Sequence, residues 1–217
     1  MKFNHFKLEN IGEYAGFKDF IKEFMKRNRL RWIDGGAFSE VYSTDARTPR
    51  YVYKICDEFD LNSIDGYMVY LKNVVLENQN NPFVPKIYGI NTYEYVNEWG
   101  DICYRAIIKM EWLQSYRCLT KHARREILNQ KYGIDIGGTD YFGDDRWISN
   151  MHDSVVNSKR ILKNFGNVST PSLLYILTEI NRNIRRYKSI HADIHDGNIM
   201  WRRRGQNHEL VIVDPIS

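Results

Sequence analysis

The stretch His191-Ala192-Asp193-Ile194-His195-Asp196-Gly197-Asn198 places a carboxylate and a side-chain amide five residues apart. A second carboxylate, Asp214, follows sixteen residues after Asn198 at the end of Leu210-Val211-Ile212-Val213. These residue types suit transfer of a phosphoryl group to a hydroxyl. Asp193 would accept the hydroxyl proton. Asn198 and Asp214 offer the hard oxygen ligands that Mg²⁺ takes when it rides on the phosphates of ATP. The base must face the nucleophile while the oxygen ligand five residues on turns back to the metal, so a loop is required between them. Ile199-Met200-Trp201 and Leu210-Val211-Ile212-Val213 are strand-like runs on either side of a polar, Gly-containing turn, which predicts a hairpin that returns Asp214 to the same ion. His191 reads as a residue that props this loop and not as the base.

Nucleotide phosphates need positive charge and close backbone approach, and the N-terminal half offers both. Leu30-Arg31-Trp32-Ile33 leads into Asp34-Gly35-Gly36-Ala37-Phe38-Ser39-Glu40-Val41-Tyr42, read as strand, glycine turn, strand. This turn resembles the glycine loop of kinases, which implies Gly35, Gly36, Phe38 and Ser39 at the phosphates and Val41 over the base. Gly36 brings N–H groups to phosphate without a Cβ in the way. Asp34 is expected to point outward, since a carboxylate is unwelcome beside phosphate. Tyr51-Val52-Tyr53-Lys54-Ile55 is an alternating strand with one inward lysine, and Lys54 is the candidate to neutralise phosphate charge. The position past the strand Ile102–Ile108 is similar to that of a kinase hinge, which implies backbone groups of Glu111 and Leu113 as the candidates for adenine.

The elements that must carry these residues follow from periodicity. Phe17, Phe20, Ile21, Phe24 and Met25 have helical spacing, with charges on the other face. Residues 64–77 read as a helix with Met68, Leu71, Val74 and Val75 on one side. Asn81–Tyr88 reads as a strand, and Tyr93–Tyr95 with Ile102–Ile108 as a hairpin across Gly100. Residues 121–131 read as a basic helix. Pro171–Tyr187 reads as a helix with Thr170 as a possible cap and an apolar face of Leu173, Leu174, Ile176, Leu177, Ile180 and Ile184. Arg182, Arg185 and Arg186 are its solvated side. Arg202-Arg203-Arg204 reads as a solvated turn, and His122 and His152 as surface residues. Gly133-Ile134-Asp135-Ile136-Gly137-Gly138-Thr139 has the look of a sugar-kinase phosphate loop. Without a long apolar strand before it, it reads instead as a surface loop.

The bounds are ordinary. The chain has 217 residues, 43% hydrophobic, with a net charge of +4. That is enough for one domain or one two-lobed unit, and the charge favours no polyanion. Cys56, Cys103 and Cys118 lack metal-ligand spacing and fit a reduced compartment. No apolar run approaches a membrane span and no signal-peptide core is present, so a membrane partner is not expected. Direct nucleic-acid binding is not expected either.

Taken in this order, the motifs resemble the protein-kinase-like superfamily, whose catalytic loop has the spacing H-x-D-x-x-x-x-N. Asp193-Ile194-His195-Asp196-Gly197-Asn198 is closer to the loop of aminoglycoside and choline phosphotransferases, because His195 stands where a protein kinase has lysine. Gly36-Ala37-Phe38-Ser39, Tyr42-Ser43, the Lys54 strand, Cys103-Tyr104, His195–Met200 and Asp214-Pro215-Ile216-Ser217 resemble the early serine/threonine protein kinases of Teseptimavirus-like bacteriophages. The resemblance implies an ATP-dependent, Mg²⁺-dependent kinase acting on host bacterial proteins, including transcription and RNA-processing machinery, and on itself, in the host cytoplasm. It implies Asp193 as base, Lys54 on phosphate, and Asn198 and Asp214 on metal. Two departures stand out. The helix at 64–77 has no central glutamate to hold Lys54, only Asp65 and Glu77 at its ends. Pro215 follows Asp214 where kinases have phenylalanine. With Ser217 three residues after Asp214, neither an activation segment nor a C-terminal extension is expected.

The expected fold is α+β, a minimal bilobal protein-kinase-like arrangement. Residues 1–113 would form an N-terminal helix plus a β-rich ATP-binding lobe, and residues 114–217 a truncated, mostly helical lobe with the catalytic loop. Two other functions fit the same residues. One is a small-molecule phosphotransferase, suggested by His195 and Gly197. The other is a catalytically degenerate binder of a host protein.

Overall fold

A computed structural model describes residues 17–35, 39–44, 49–60, 66–96, 99–100, 102–134, 146–157, 159, 161, 165 and 170–217. The side chains of 17, 18, 57–60, 94–96, 102–104 and 146 are excepted. The fold is mixed α+β, built on antiparallel strands. The chain forms two compact units: Met1–Ser63 with Lys86–Trp112, and Ile64–Pro85 with Leu113–Ser217. Residues 64–85, placed with the β-rich part on sequence grounds, therefore pack with the second unit.

The first unit is a five-stranded antiparallel sheet in the order β1-β2-β3-β5-β4. Its strands are β1 (Leu30–Gly35), β2 (Ser39–Thr44), β3 (Tyr51–Asp60), β4 (Ile87–Val96) and β5 (Ile102–Glu111). Helix α1 (Phe17–Arg27) has the expected amphipathic face. Phe20, Ile21, Phe24 and Met25 pack with Tyr42, Tyr51, Tyr53, Ile55 and Ile107. Because side chains alternate across a strand, Lys54 lies on the opposite face of β3 from this cluster. The strand predicted at Asn81–Tyr88 begins only at Ile87. The residues before it turn: Asn81 Oδ1 accepts the Phe83 N–H at 2.9 Å, and Pro82 and Pro85 have no N–H for a ladder.

In the second unit, α2 (Gly66–Tyr70) runs into a π-helical turn, Leu71–Val75, and a 3₁₀ turn, Leu76–Asn78. Met68, Leu71, Val74 and Val75 are buried, as the spacing requires. Helix α3 (Lys121–Tyr132) is capped by Thr120, whose Oγ1 accepts from Ala123 N, and stops at the left-handed Gly133. Helices α4 (Arg146–Val156) and α5 (Pro171–Arg186) pack together. Leu173, Ile176, Leu177 and Ile180 are fully buried, each side chain contributing roughly 1.5–3 kcal/mol. The same helix also buries polar residues that apolar periodicity does not reveal. Asn181 Nδ2 donates to Val155 O on α4 at 2.5 Å. Asn183 Oδ1 accepts from Asn73 Nδ2 of the π turn at 2.8 Å. Thr170 makes no side-chain cap. Its backbone carbonyl takes the Leu173 N–H at 3.0 Å, and its Oγ1 is buried without a partner.

A three-stranded sheet, β6 (Gln114–Ser115), β7 (Ile199–Arg204) and β8 (Asn207–Ile212), completes this unit. β7 and β8 form the predicted hairpin. Trp201 of β7 stacks on Tyr116, with ring centroids 5.8 Å apart, and donates through Nε1 to Tyr116 O at 2.9 Å. Trp147 Nε1 donates to Tyr116 Oη at 2.9 Å, which ties α4 into the same knot. Arg202 is not part of a solvated turn. It is 5% exposed, with Nη1 on Pro82 O at 2.6 Å, Nη2 on Val84 O at 2.9 Å, and Glu209 Oε2 3.3 Å from Nη1. A guanidinium tolerates burial when carbonyls and a carboxylate take its N–H groups. Arg203 and Arg204 are exposed.

Candidate functional site

The loop 190–198 and the segment 213–217 are joined backbone to backbone. His191 and Ser217 exchange two hydrogen bonds, of 2.7 and 3.0 Å, around an antiparallel bridge between Ala192 and Ile216. Asp193 N donates to Pro215 O at 2.8 Å, and Val213 N donates to Asn198 O at 3.0 Å. Asp193 and Asn198 are thus bonded to the two residues that flank Asp214. Main-chain pairing brings together the backbones of three residues spread over twenty-two positions.

Within the loop, Asn198 Nδ2 donates to Asp193 O at 2.7 Å and lies 3.4 Å from Asp193 Oδ2. With its amide nitrogen on that carbonyl, Asn198 has its oxygen turned the other way. Asp193, Asn198 and Asp214 are all half-buried. Asn198 and Asp214 offer an amide oxygen and a carboxylate, both hard donors of the kind that Mg²⁺ takes. Among the described residues no group of three or more His, Cys, Asp or Glu is placed to hold a metal ion.

Other residues hold the loop from outside. Tyr70, fully buried on α2, donates to Ile212 O at 2.7 Å, and Ile212 N donates to Phe83 O at 2.9 Å. Burial, reinforced by the charge of Asp214, pushes the Tyr70 hydroxyl well above its ordinary pKa. A Cβ on Gly66 would lie 2.7 Å from Ser217 C and 2.8 Å from Ile216 C and O. The start of α2 therefore seats directly on the 216–217 backbone. His152 of α4 is half-buried and not simply a surface residue, because Nε2 lies 3.2 Å from Ala192 O. A carbonyl only accepts, so Nε2 carries the proton there. Arg117 Nε pairs with Asp196 Oδ2 at 2.5 Å, an exposed contact of small energetic weight. His191 acts through its backbone, and its side chain is exposed.

The remaining candidates belong to the first unit, apart from Leu113. Lys54 is half-buried on an interior strand, in register with Val41 of β2 and Ile108 of β5. Gly35 ends β1 opposite Glu40, and Ser39 begins β2 opposite Cys56. Asp34 is exposed, and its Oδ1 accepts the Gly35 N–H at 2.9 Å. Gly36 and Phe38 lie outside the described residues, as do Asp65 and 135–139. Glu111 is buried. Its N–H goes to Lys86 O at 2.9 Å and its Oε1 accepts from Lys86 N at 2.8 Å, so its N–H is committed within the sheet. Leu113 is half-buried just beyond β5. Residues 66–76 contain no carboxylate, and Glu77 is exposed on the 3₁₀ turn.

Tyr70, Gly66, His152 and Arg202 were not singled out as supports of the site. A lone histidine in a polar stretch and a tyrosine among apolar residues carry no positional signal. Gly66 offered a weak one, as an isolated glycine opening a helix. No protein-family model matches the chain, and no curated protein matches it.

Proposed function

We propose that this chain is an ATP-dependent kinase transferring the γ-phosphoryl group to a serine or threonine hydroxyl of a protein. We further propose that its two units correspond to a reduced, two-lobed kinase-like fold. The observation that carries the reading is the bonding of Asp193 and Asn198 to the two neighbours of Asp214. Asp193 would take the proton from the attacking hydroxyl, its position fixed by its own N–H on Pro215 O. Asn198 and Asp214 would hold Mg²⁺, which when bound neutralises phosphate charge. On the sequence resemblance, Lys54 would bind phosphate, with Gly35, Gly36, Phe38, Ser39 and Val41 as nucleotide-binding residues and the Glu111–Leu113 segment for adenine. Catalysis on this reading is positioning plus charge neutralisation. Host bacterial proteins as substrates, and action in the host cytoplasm, rest on the sequence resemblance. No helix among the described residues is long and apolar enough to cross a membrane.

The test is transfer of labelled phosphate from Mg·ATP to casein-like protein and to the chain itself, against an aminoglycoside as acceptor. Protein labelling that falls on the order of 10²–10⁴-fold in Asp193→Asn supports the reading. The His195–Gly197 pair favours a second reading, a small-molecule phosphotransferase, which labelling of the aminoglycoside alone would establish. Labelling of neither acceptor, with no mass shift in the chain, would leave a non-catalytic binder.

A further inference from the structure

His195 opens the 3₁₀ turn Asp196–Asn198, and its ring folds back over that turn: Nδ1 accepts the Gly197 N–H at 3.0 Å. A backbone N–H has its direction set by the chain, so Nδ1 must present its lone pair. A neutral imidazole then carries its proton on Nε2. Nε2 lies 2.9 Å from Asn198 Nδ2. Asn198 Nδ2 has two hydrogens, one of them on Asp193 O, and with the ring proton on Nε2 the second finds no acceptor there, so the two nitrogens meet without a hydrogen bond. Asp193 Oδ1, at 3.8 Å from Nε2, is beyond hydrogen-bond reach.

Gly197 completes the picture. A Cβ built there would meet His195 Cε1 at 2.8 Å and Nδ1 at 3.0 Å, and no other atom within 4 Å. Its φ lies outside the left-handed region. The backbone at 197 would therefore accept alanine, and only the imidazole excludes it.

We propose that His195 is a positioning residue for Asn198: its ring caps the turn that presents the amide, and Gly197 is glycine in order to admit that ring. The inference rests on the role given to Asn198 above. Histidine here does what Asn or Asp does in an Asx-turn, accepting an N–H two residues on. It also explains why the residue is not lysine, which has no acceptor.

The experiment is a double-mutant cycle in the full chain, His195→Ala against Gly197→Ala, with His195→Asn as the conservative variant. It is read by thermal unfolding, by phosphoryl transfer, and by the ¹⁵N shifts of the His195 ring. His195→Ala is expected to lower kcat about tenfold, with KM for the protein acceptor unchanged. His195→Asn keeps an acceptor for Gly197 N–H and is expected to recover to within about threefold of wild type. Gly197→Ala should be harmful alone and add nothing to His195→Ala, because the ring it strikes is gone. The ring nitrogens should report the Nε2–H tautomer. Additive effects at 195 and 197, an Asn variant as poor as Ala, or the Nδ1–H tautomer would each overturn the proposal. A wild type that transfers no phosphate would sink the enzymatic reading alone. The cycle in melting temperature and the ring shifts would still decide whether the cap exists.

Discussion

The Tyr70 hydroxyl donates to Ile212 O across 2.7 Å, two residues before Asp214. Ile212 N is held at the same time by Phe83 O at 2.9 Å. A residue at the end of β8 is thereby clamped on both its polar groups by the segment 66–85. The position of Asp214 depends on a helix that contributes no carboxylate of its own. Tyr70→Phe removes one buried donor while keeping the ring. It should lower stability by about 1–3 kcal/mol, seen as a melting temperature lower by several degrees. It should also raise the Mg²⁺ concentration needed for half-maximal phosphate transfer. An unchanged melt would mean that the clamp carries no weight.

Gly66→Ala tests the same region from the other side. In an exposed helix this change is stabilising by roughly 0.5–1 kcal/mol. Here the new methyl would strike backbone atoms of Ile216 and Ser217 at 2.7–2.8 Å, and backbone cannot swing aside. The expected result is destabilisation of about 1–3 kcal/mol, with loss of activity as the 213–217 segment is pushed from the loop. Chemical denaturation measures the sign directly, and the two effects predict opposite signs.

Arg202 is the buried charge on which the hairpin depends. Arg202→Met leaves the carbonyls of Pro82 and Val84 without their donor, while Glu209 keeps Arg204, whose Nε lies 3.2 Å from Oε2. Leaving a buried acceptor unsatisfied costs about 1–3 kcal/mol. Arg202→Lys should recover only part of it, because one ammonium lacks the planar fork that serves two carbonyls and a carboxylate. Denaturant midpoints of the two variants, compared at constant slope, give the answer.

Alkaline unfolding follows from three tyrosines. Tyr53 is pushed up to about 12 by burial, with Tyr51 adding to it. Burial also raises Tyr70, helped by Asp214. It also raises Tyr132, despite the Leu210 N–H that bonds its oxygen. The folded chain thus keeps these protons where the unfolded chain, near 10, releases them. Their contribution is fully present below pH 10 and is lost as pH rises through the folded-state values. Phenolate absorbance near 295 nm should therefore rise in step with loss of tertiary structure above pH 10. Titration of all tyrosines before any unfolding would contradict this.

The parts legible in the sequence are those set by local periodicity. α1 and α5 were visible in their apolar spacing, the β4–β5 hairpin in Gly100, and β7–β8 in two strand-like runs about a polar turn. What escaped depends on contacts distant along the chain. Asn181 and Asn183 are buried on α5, but a polar residue looks solvated until its partner elsewhere in the chain is known. Arg202 was read as a surface charge for the same reason, its acceptors lying some 120 residues earlier. The π turn at 71–75 replaced an ordinary helix, since apolar spacing does not report the winding number. At the candidate site, Asp193, Asn198 and Asp214 were visible as chemistry. The devices that hold them are glycines, a tyrosine and main-chain bonds, which carry no motif.

The anchoring of Arg202 has a consequence for strand slippage. A one-residue change of register between two strands turns every side chain to the other face. A slip along β8 would also displace Asp214 by about 3.3 Å relative to Asn198, enough to take it out of reach of a shared ion. Because Glu209 of β8 stands opposite Arg202 of β7 and meets its guanidinium in only one alignment, that pair acts as an index mark that fixes where the last carboxylate comes to rest.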